Sequence, residues 1–567
     1  MSEFFQAGPD PRHPWRQDPA LSLCLAHYLP PDIHAEIAPG LSKLADRAVG
    51  EMLEYAADAE YHPPRHVPYD PWGRRIDLIE TSEGWRALEA VAAEEGVVAT
   101  AYERRHGAWS RIHQFARLYL YHPSSAICSC PMAMTDGAAR VLEVHGDSDM
   151  RQRFLPHLLS RDPEQFWTSG QWMTERTGGS DVSRSETIAE PDGDGFRLHG
   201  TKWFTSATTA QLSMTLARIR EQGRTDEDLS LFVVETRDPD TGLLNDIRVN
   251  RLKDKLGTRA LPTAELDLQG TPARAVGERG RGVATIATIL NITRLYNACC
   301  AAGTIRRGLD LALDYAAKRH AFGRALIDQP LHRETLADIA TEQHAALALV
   351  FETAALLGRE ETGEAERAEL DRLRVLTPVV KLYTGKQAVS CASELVESFG
   401  GAGYVEDTGL PTLLRDAQVL SIWEGTTNVL SLDMLRAFDS DGRRWKALVE
   451  NMGARLGALP EDVPDAARQV TREALEALSR RPGELMADGE DQAQAGARDL
   501  AFFTARTLAA VLLLEQAAAQ SEGAEGARAR AVAQRWCRMH LGSGLIRPRP
   551  DDEANAILAE VKQTERG

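Results

Sequence analysis

The chain has 567 residues, 43% of them hydrophobic and 26% charged. That balance is ordinary for a globular protein, and the length exceeds one core; at about 150 residues per domain it implies three to five units. The net charge of −18 gives no bulk attraction to nucleic acid or anionic lipid, so only a local basic patch would recruit either.

No apolar run of membrane-spanning length stands out, so no membrane span is expected. The opening stretch "MSEFFQAGPDPRHPWRQDP" lacks a basic segment followed by an apolar one and does not read as a secretory signal. Residues 1–75 read as an N-terminal extension, rich in proline and histidine, with one helical stretch, "IHAEIAPGLSKLADRAVGEMLEYAADAEY". Residues 76–165 read as a helical domain; Met150, Phe154, Leu155, Leu158 and Leu159 fall at helical spacing.

The texture changes near Phe166. Over residues 166–276 the turn "PDGDG" separates two extended runs, a hairpin signal. "LSMTLARI", "LSLFVVETR", "IRVNRLKDKLG" and "TAELDLQG" follow as short strands of a middle antiparallel β domain. Residues 277–438 return to helical period, with room for one very long helix from Gly282 to about Gly323. Residues 439–567 form an alanine-rich helical extension, most apolar at "DLAFFTARTLAAVLLLEQAAA". The expected fold is therefore mainly α with a central antiparallel β domain. Cys24, Cys128, Cys130, Cys299, Cys300, Cys391 and Cys537 have no paired CxxC spacing. They read as reduced and buried, in a cytoplasmic protein, with no metal site.

Four motifs carry chemistry. "WMTERTGGSDV" offers hydroxyls and backbone amides in a tight loop suited to a phosphate or a heterocycle edge, although a plain glycine turn explains it equally well. In "GTKWFTS" strand alternation puts Phe204 and Ser206 on one face and Trp203 and Thr205 on the other. An aromatic and a hydroxyl so placed can stack on a flat ring and donate to its edge. "KRHAFG" ends a helical run with Arg319, a candidate pyrophosphate ligand or simply a favourable C-terminal cation. "SIWEGTTN" sets Glu424 between an indole that can shield it from water and Gly425, which lets backbone approach a ligand closely. Most glutamates are merely exposed, so this last motif needs the others.

Each motif alone is weak; together, in order, they resemble the acyl-CoA dehydrogenase family of flavoproteins. "MTERTGGSDV", "KWFTS", "KLGTRALPTAEL", "ITR", "KRHAFG", "FGGAGY" and "WEGTTN" follow the family sequence across about residues 80–438. The N-terminal segment ("HPWRQDP", "YDPWGRRID") and the C-terminal extension resemble the AidB-like, adaptive-response branch. The resemblance implies a helical domain, a β-barrel domain and a four-helix-bundle domain, with FAD as cofactor and an acyl-CoA substrate. It implies an electron-transfer flavoprotein or another acceptor, and a homo-oligomer built as a dimer of dimers.

It also implies roles. Met173, Thr174 and Ser180 would line the flavin and its pyrophosphate. Phe204 stands where the family usually has a ring-stacking tryptophan, and Ser206 where it has a threonine. Arg319 and Phe322 would reach the FAD of a neighbouring subunit, with Gly400 and Gly401 against its adenosine end and Glu397 where the family often has glutamine. Thr426 and Asn428 would touch the cofactor. Arg294 and Gly425 would lie at the substrate. Some members carry the catalytic base on the long helix, just before that arginine; here the position is Thr293, which leaves Glu424 as the base. The AidB-like branch keeps two other readings open: a DNA-binding or protective flavoprotein, with Arg535, Arg538, Arg547 and Arg549 as a local patch, and an acyl-binding protein with little turnover. An oxidase passing electrons to oxygen is a further possibility.

Overall fold

The computed structural model describes residues 6–238, 241–438, 441–460, 465–487, 489–520, 523–542 and 555–558. The chain divides into two compact units, one of Gly50–Arg104 with Tyr121–Tyr296, the other of Met1–Val49, Arg105–Leu120 and Asn297–Gly567.

The first unit contains most of the β structure. A hairpin of β1 (Arg65–Tyr69) and β2 (Arg75–Glu80) follows helix Glu51–Tyr61. It straddles the end of the N-terminal extension and the start of the segment read as helical, and Pro68 within β1 hides the strand pattern. Asp77 docks the hairpin by accepting from Arg75 and from the backbone N–H of Val249 at 2.7 and 3.1 Å. The main sheet comprises β3 (Ser169–Trp172), β4 (Ile188–Asp192), β5 (Gly195–Ser206), β6 (Leu212–Glu221), β7 (Arg224–Thr225), β8 (Ser230–Glu235), β9 (Ile247–Leu252) and β10 (Thr263–Val276).

Five of these strands close a ring in the order β4–β5–β10–β8–β6 and back to β4. Most pairings are antiparallel, as expected, but β4 and β3 each run parallel to β6. A closed ring with an odd number of strands cannot alternate direction throughout, so at least one neighbouring pair must be parallel. One apolar cluster of the sheet gathers Trp172, Leu198, Ile219, Phe232, Val249 and Leu266. A second joins Met173, Met214, Leu231 and Val233 to helix residues Leu142, Phe154, Leu158 and Ile289.

The second unit is helical. The long helix is continuous over Gly282–Lys318, 37 residues, and its C-terminal half belongs here with helices Pro330–Thr362 and Arg367–Ser398. A capping box between Glu366 and Glu369 starts the last of these, and Gly363, in the left-handed conformation, stops the one before it. The expected helical stretch of the N-terminal segment is two helices, Pro31–Ala48 of this unit and Glu51–Tyr61 of the first, broken at Val49–Gly50.

In the C-terminal extension helix Glu490–Ala519 packs against helices Pro330–Thr362, Thr427–Arg436, Asp465–Ala487 and Ala524–His540. Among the described residues it is the one helix long and apolar enough to cross a membrane, a feature the sequence reading passed over. Its apolar side chains, including Leu508, Val511, Leu512 and Leu514, are buried within the unit, so its composition is that of a core helix. All seven cysteines are free and buried.

Asp18 ties the N-terminal segment into this unit. One carboxylate oxygen caps helix Pro19–Tyr28 by accepting from the N–H groups of Ala20 and Leu21. The other accepts from the Tyr119 hydroxyl at 2.8 Å and the Arg306 guanidinium at 2.9 Å. Both ionic partners are buried. Breaking a buried pair on one side strands the other charge and costs more than the pair contributes. Asp18→Ala is expected to lower the unfolding free energy by about 3 kcal/mol or more, measured by urea denaturation; a loss under about 1 kcal/mol, the scale of an exposed pair, would contradict this role.

Candidate functional site

Three clusters gather the residues singled out by sequence, each within one unit. In the helical unit, Glu424 sits in the turn between helices Pro411–Leu420 and Thr427–Arg436. Its φ of 57° is left-handed, a conformation that costs a non-glycine residue about 1–2 kcal/mol and persists only where its surroundings enforce it. Those surroundings are specific. The Trp423 indole N–H donates to the side-chain oxygen of buried Asn297. The Asn297 amide donates to the carbonyl of Leu420 at 2.9 Å. The buried Lys381 ammonium donates to the carbonyl of Gly425 at 2.7 Å.

Gly425 is explained by the turn itself: its φ is 106°, and a Cβ there would lie 2.8 Å from the Leu430 side chain. Thr426 caps the following helix, its hydroxyl accepting from the Val429 N–H at 3.5 Å. Asn428 is exposed and meets Arg498 at 3.4 Å.

In the barrel unit, Met173 and Thr174 follow β3, and Met173 is buried in the core. The loop closes tightly, with Glu175 and Gly178 exchanging backbone hydrogen bonds at 3.2 and 3.1 Å. A Cβ on Gly179 would lie 2.5 Å from the Thr174 hydroxyl. Ser180 is exposed beyond it. The loop is bound to β5 by Trp203 N–H donating to the Thr174 carbonyl at 2.9 Å and by a buried pair, Lys202 Nζ to Glu175 Oε1 at 2.7 Å. Glu175 also accepts from the Thr187 hydroxyl and the Glu186 N–H, both at 2.6 Å, and Lys202 donates to the Leu216 carbonyl at 2.9 Å. Burial alone would push the Glu175 carboxyl up, but Lys202 and these donors outweigh it and hold it below its ordinary value. Burial, only partly offset by Glu175, lowers the Lys202 ammonium.

Strict alternation along "KWFTS" does not hold. Ala264 pairs with Thr205 but Leu266 with Lys202, so β5 carries one extra residue, a bulge at Trp203–Phe204. The bulge lets both rings approach one cation: Lys253 Nζ is 4.1 Å from the Trp203 ring centre and 5.6 Å from that of Phe204. Phe204 is 43% exposed, open to a flat ligand. Ser206 is nearly buried, its hydroxyl 3.1 Å from that of Thr263. In the same unit Thr293 is buried, its hydroxyl 3.4 Å from the Leu290 carbonyl, and Arg294 is half-buried on the long helix.

The third cluster, again in the helical unit, is a cavity of about 610 Å³ whose walls include Arg319, Glu397, Gly400, Gly401, His332 and Gln6. Four residues chosen from sequence thus share one cavity. Nothing lies within 4 Å of where a Cβ on Gly400 or Gly401 would project, so chain packing does not demand a glycine at Gly401, and the space suits a ligand. Phe322 is not on this wall; it tips the hairpin His320–Ala325 at 99% exposure and a left-handed φ of 52°.

The proposed basic patch is not assembled as expected. Arg535 is buried and paired with Glu334 and Asp338 at 2.6 and 2.8 Å, while Arg547 and Arg549 lie outside the described residues. Among the described residues no group of His, Cys, Asp or Glu is arranged to hold a metal ion. Sequence reasoning missed Asn297, Lys381, Glu175 and Lys202. The signal for Lys381 was a lone cation within the apolar run "TPVVKLYT", where a lysine must find a buried acceptor.

The acyl-CoA dehydrogenase middle-domain model matches residues 170–271 and the acyl-CoA dehydrogenase C-terminal-domain model residues 280–438. An adaptive response protein AidB N-terminal domain matches residues 9–165, and an acyl-CoA dehydrogenase 11 C-terminal-domain-like model residues 454–547. Acyl-CoA dehydrogenase family member 11 of Caenorhabditis elegans is 44% identical over 535 residues, 91% of this chain and 86% of the relative. The chain belongs to the acyl-CoA dehydrogenase family. The putative acyl-CoA dehydrogenase AidB of Escherichia coli is 33% identical over 70% of this chain and 74% of that protein. Among solved structures, C. elegans ACDH-11 in complex with C11-CoA aligns at a TM-score of 0.92 and 41% identity, covering 100% of this chain and 97% of that one. Bd2924 in its apo form aligns at 0.85 and 54% identity, covering 91% and 100%. Membership makes the chain an FAD-dependent oxidoreductase, and the exposed Phe204, the tight loop at Thr174 and the open glycine wall beside Arg319 are compatible with that cofactor.

The Lys202–Glu175 pair generates a test. Lys202→Met leaves a buried carboxylate unpaired, and stability at neutral pH is expected to fall by about 3–5 kcal/mol. Because the folded-state pKa of Glu175 is depressed by its partners, the parent's stabilisation is present above the unfolded carboxyl pKa and is lost as pH falls through the folded one. The gap between parent and variant should therefore narrow as Glu175 protonates, read by thermal unfolding at a series of pH values; a pH-independent gap would contradict this account.

Proposed function

We propose that the chain removes the α proton and the β hydride of an acyl-CoA thioester, giving the trans-2-enoyl-CoA, with Glu424 as the base. The observation that carries this reading is the enforced left-handed turn: Asn297, Trp423 and Lys381 together hold the backbone at Glu424 in a conformation the chain would otherwise avoid. A positioned carboxylate suits a carbon acid acidified only modestly by a thioester. Bound FAD supplies the hydride acceptor. Glu424 takes the proton on a carboxylate oxygen, and its backbone N–H is the proposed donor to the thioester oxygen as enolate charge develops there. Thr293, a buried hydroxyl, is no substitute base.

Phe204 and Ser206, with Met173, Thr174 and Ser180, are the proposed flavin contacts; Thr426 and Asn428 are proposed to follow the base at the cofactor, and Arg294 and Gly425 to lie at the substrate. The acyl-CoA bound in the C. elegans relative supports the substrate class. An electron-transfer flavoprotein or another acceptor then takes the electrons. We place the protein in a reducing, cytoplasmic compartment, supported by seven free and buried cysteines, and keep the five sequence segments as its functional divisions.

Glu424→Gln keeps shape and hydrogen bonding but removes the base. The variant should fold, bind FAD and acyl-CoA, and lose flavin reduction by about 10²–10⁴-fold or more in anaerobic titration with a panel of acyl-CoAs. Reduction at the parent rate would place the base elsewhere; a parent never reduced by any acyl-CoA would favour the acyl-binding reading. A fully exposed, backbone-strained Phe322 beside Arg319 supports a dimer of dimers in which this hairpin meets a second copy. Sedimentation should give a tetramer, and a monomer holding stoichiometric FAD would overturn that assembly.

A further inference from the structure

The C-terminal half of the long helix carries a charged stripe, Arg306, Asp310, Asp314 and Lys318, each four residues from the last and therefore on one face. The N-terminal arm lies along this stripe. Arg306 donates to the Pro14 carbonyl at 3.3 Å and to Asp18 at 2.9 Å. Asp314 accepts from the Asp10 N–H at 2.8 Å. Lys318 donates to the Gly8 carbonyl at 3.2 Å and the Asp10 carboxylate at 2.7 Å, and also pairs with Asp314 at 2.6 Å. One residue further along the helix, the side-chain oxygen of Gln6 accepts from the Arg319 guanidinium at 3.3 Å. Gln6 and Arg319 both line the 610 Å³ cavity with Glu397, Gly400 and Gly401.

We propose that residues 6–18 are a strap, anchored at Asp18 and clasped by Lys318, that presets Arg319 for the diphosphate and adenosine part of FAD, with Gln6 as a positioning residue. The inference rests on the flavoprotein reading above. An arginine at a helix end has many rotamers, and holding it beforehand removes an ordering cost from binding. A neutral amide oxygen does this without cancelling the guanidinium charge, which stays available to a phosphate. A carboxylate in the same place would pair with Arg319 and compete with the ligand. Glu397, also on the cavity wall, accepts from donors, so it suits a sugar hydroxyl or an adenine amino group rather than the diphosphate.

The test is FAD affinity of the full-length apoprotein, read by quenching of flavin fluorescence, alongside the apoprotein melting temperature. Gln6→Ala and Asp10→Asn should each weaken FAD binding by about three- to ten-fold with little change in melting temperature. Asp10→Glu should restore the clasp and the affinity, and Gln6→Glu should bind more weakly than the parent. Arg319→Ala is the control for the cavity and should weaken binding more than either strap variant. If Arg319→Ala weakens binding while Gln6→Ala and Asp10→Asn stay within two-fold of the parent, the strap is overturned and the cofactor reading stands. If Arg319→Ala has no effect, the cavity does not hold the cofactor and the strap falls with it.

Discussion

Lys381 brings an ammonium into the buried side of helix Arg367–Ser398 and donates there to the carbonyl of Gly425. A buried lysine without an acceptor is costly, so this contact binds the turn to the helix. The Asn297 side chain fastens the same turn from the long helix, through Trp423 and Leu420. Two helices distant in sequence therefore converge on the stretch from Leu420 to Gly425, and the left-handed Glu424 is the consequence. The backbone that carries the Glu424 side chain is therefore fixed before any ligand arrives.

The same logic recurs in the barrel unit with opposite charges. Lys202 is fully buried on β5 and Glu175 belongs to the loop after β3. Their pairing, reinforced by Thr187 and Leu216, presses the loop onto the strand, while the bulge beside Lys202 turns Trp203 and Phe204 toward Lys253. Local strand geometry alone would separate those rings. The ion pair and the bulge together create an exposed aromatic beside a loop of amides and hydroxyls, from residues that are separately unremarkable.

The N-terminal arm applies a related device outside the core. Its contacts follow one face of the long helix, and that face would be hard to rationalise on a solvated helix: Arg306 and Asp310 are buried. The stripe makes sense as the seat of a second segment of chain. It also explains why the N-terminal arm bears on a cavity formed at the ends of three helices.

Much was legible without coordinates. Helical period identified the long helix, "PDGDG" marked the β4–β5 turn, and the ordered motifs from "MTERTGGSDV" to "WEGTTN" pointed to the family, because these are local signals of spacing and turn chemistry. Arg319, Glu397, Gly400 and Gly401 could be chosen from sequence, but their sharing of one cavity could not. The β1–β2 hairpin was hidden by Pro68, the parallel pairing of β4 with β6 follows from closing an odd-numbered ring, and the bulge at Trp203–Phe204 from pairing with β10. Lys381, Asn297, Lys202 and Glu175 acquire meaning only from partners between 11 and 126 residues away. The sequence by itself determined which elements form and which residues carry reactive groups, since both depend on near neighbours. Only the tertiary structure decided which buried charges meet, which way the strands close and how Glu424 is held, since each depends on contacts that no local pattern encodes.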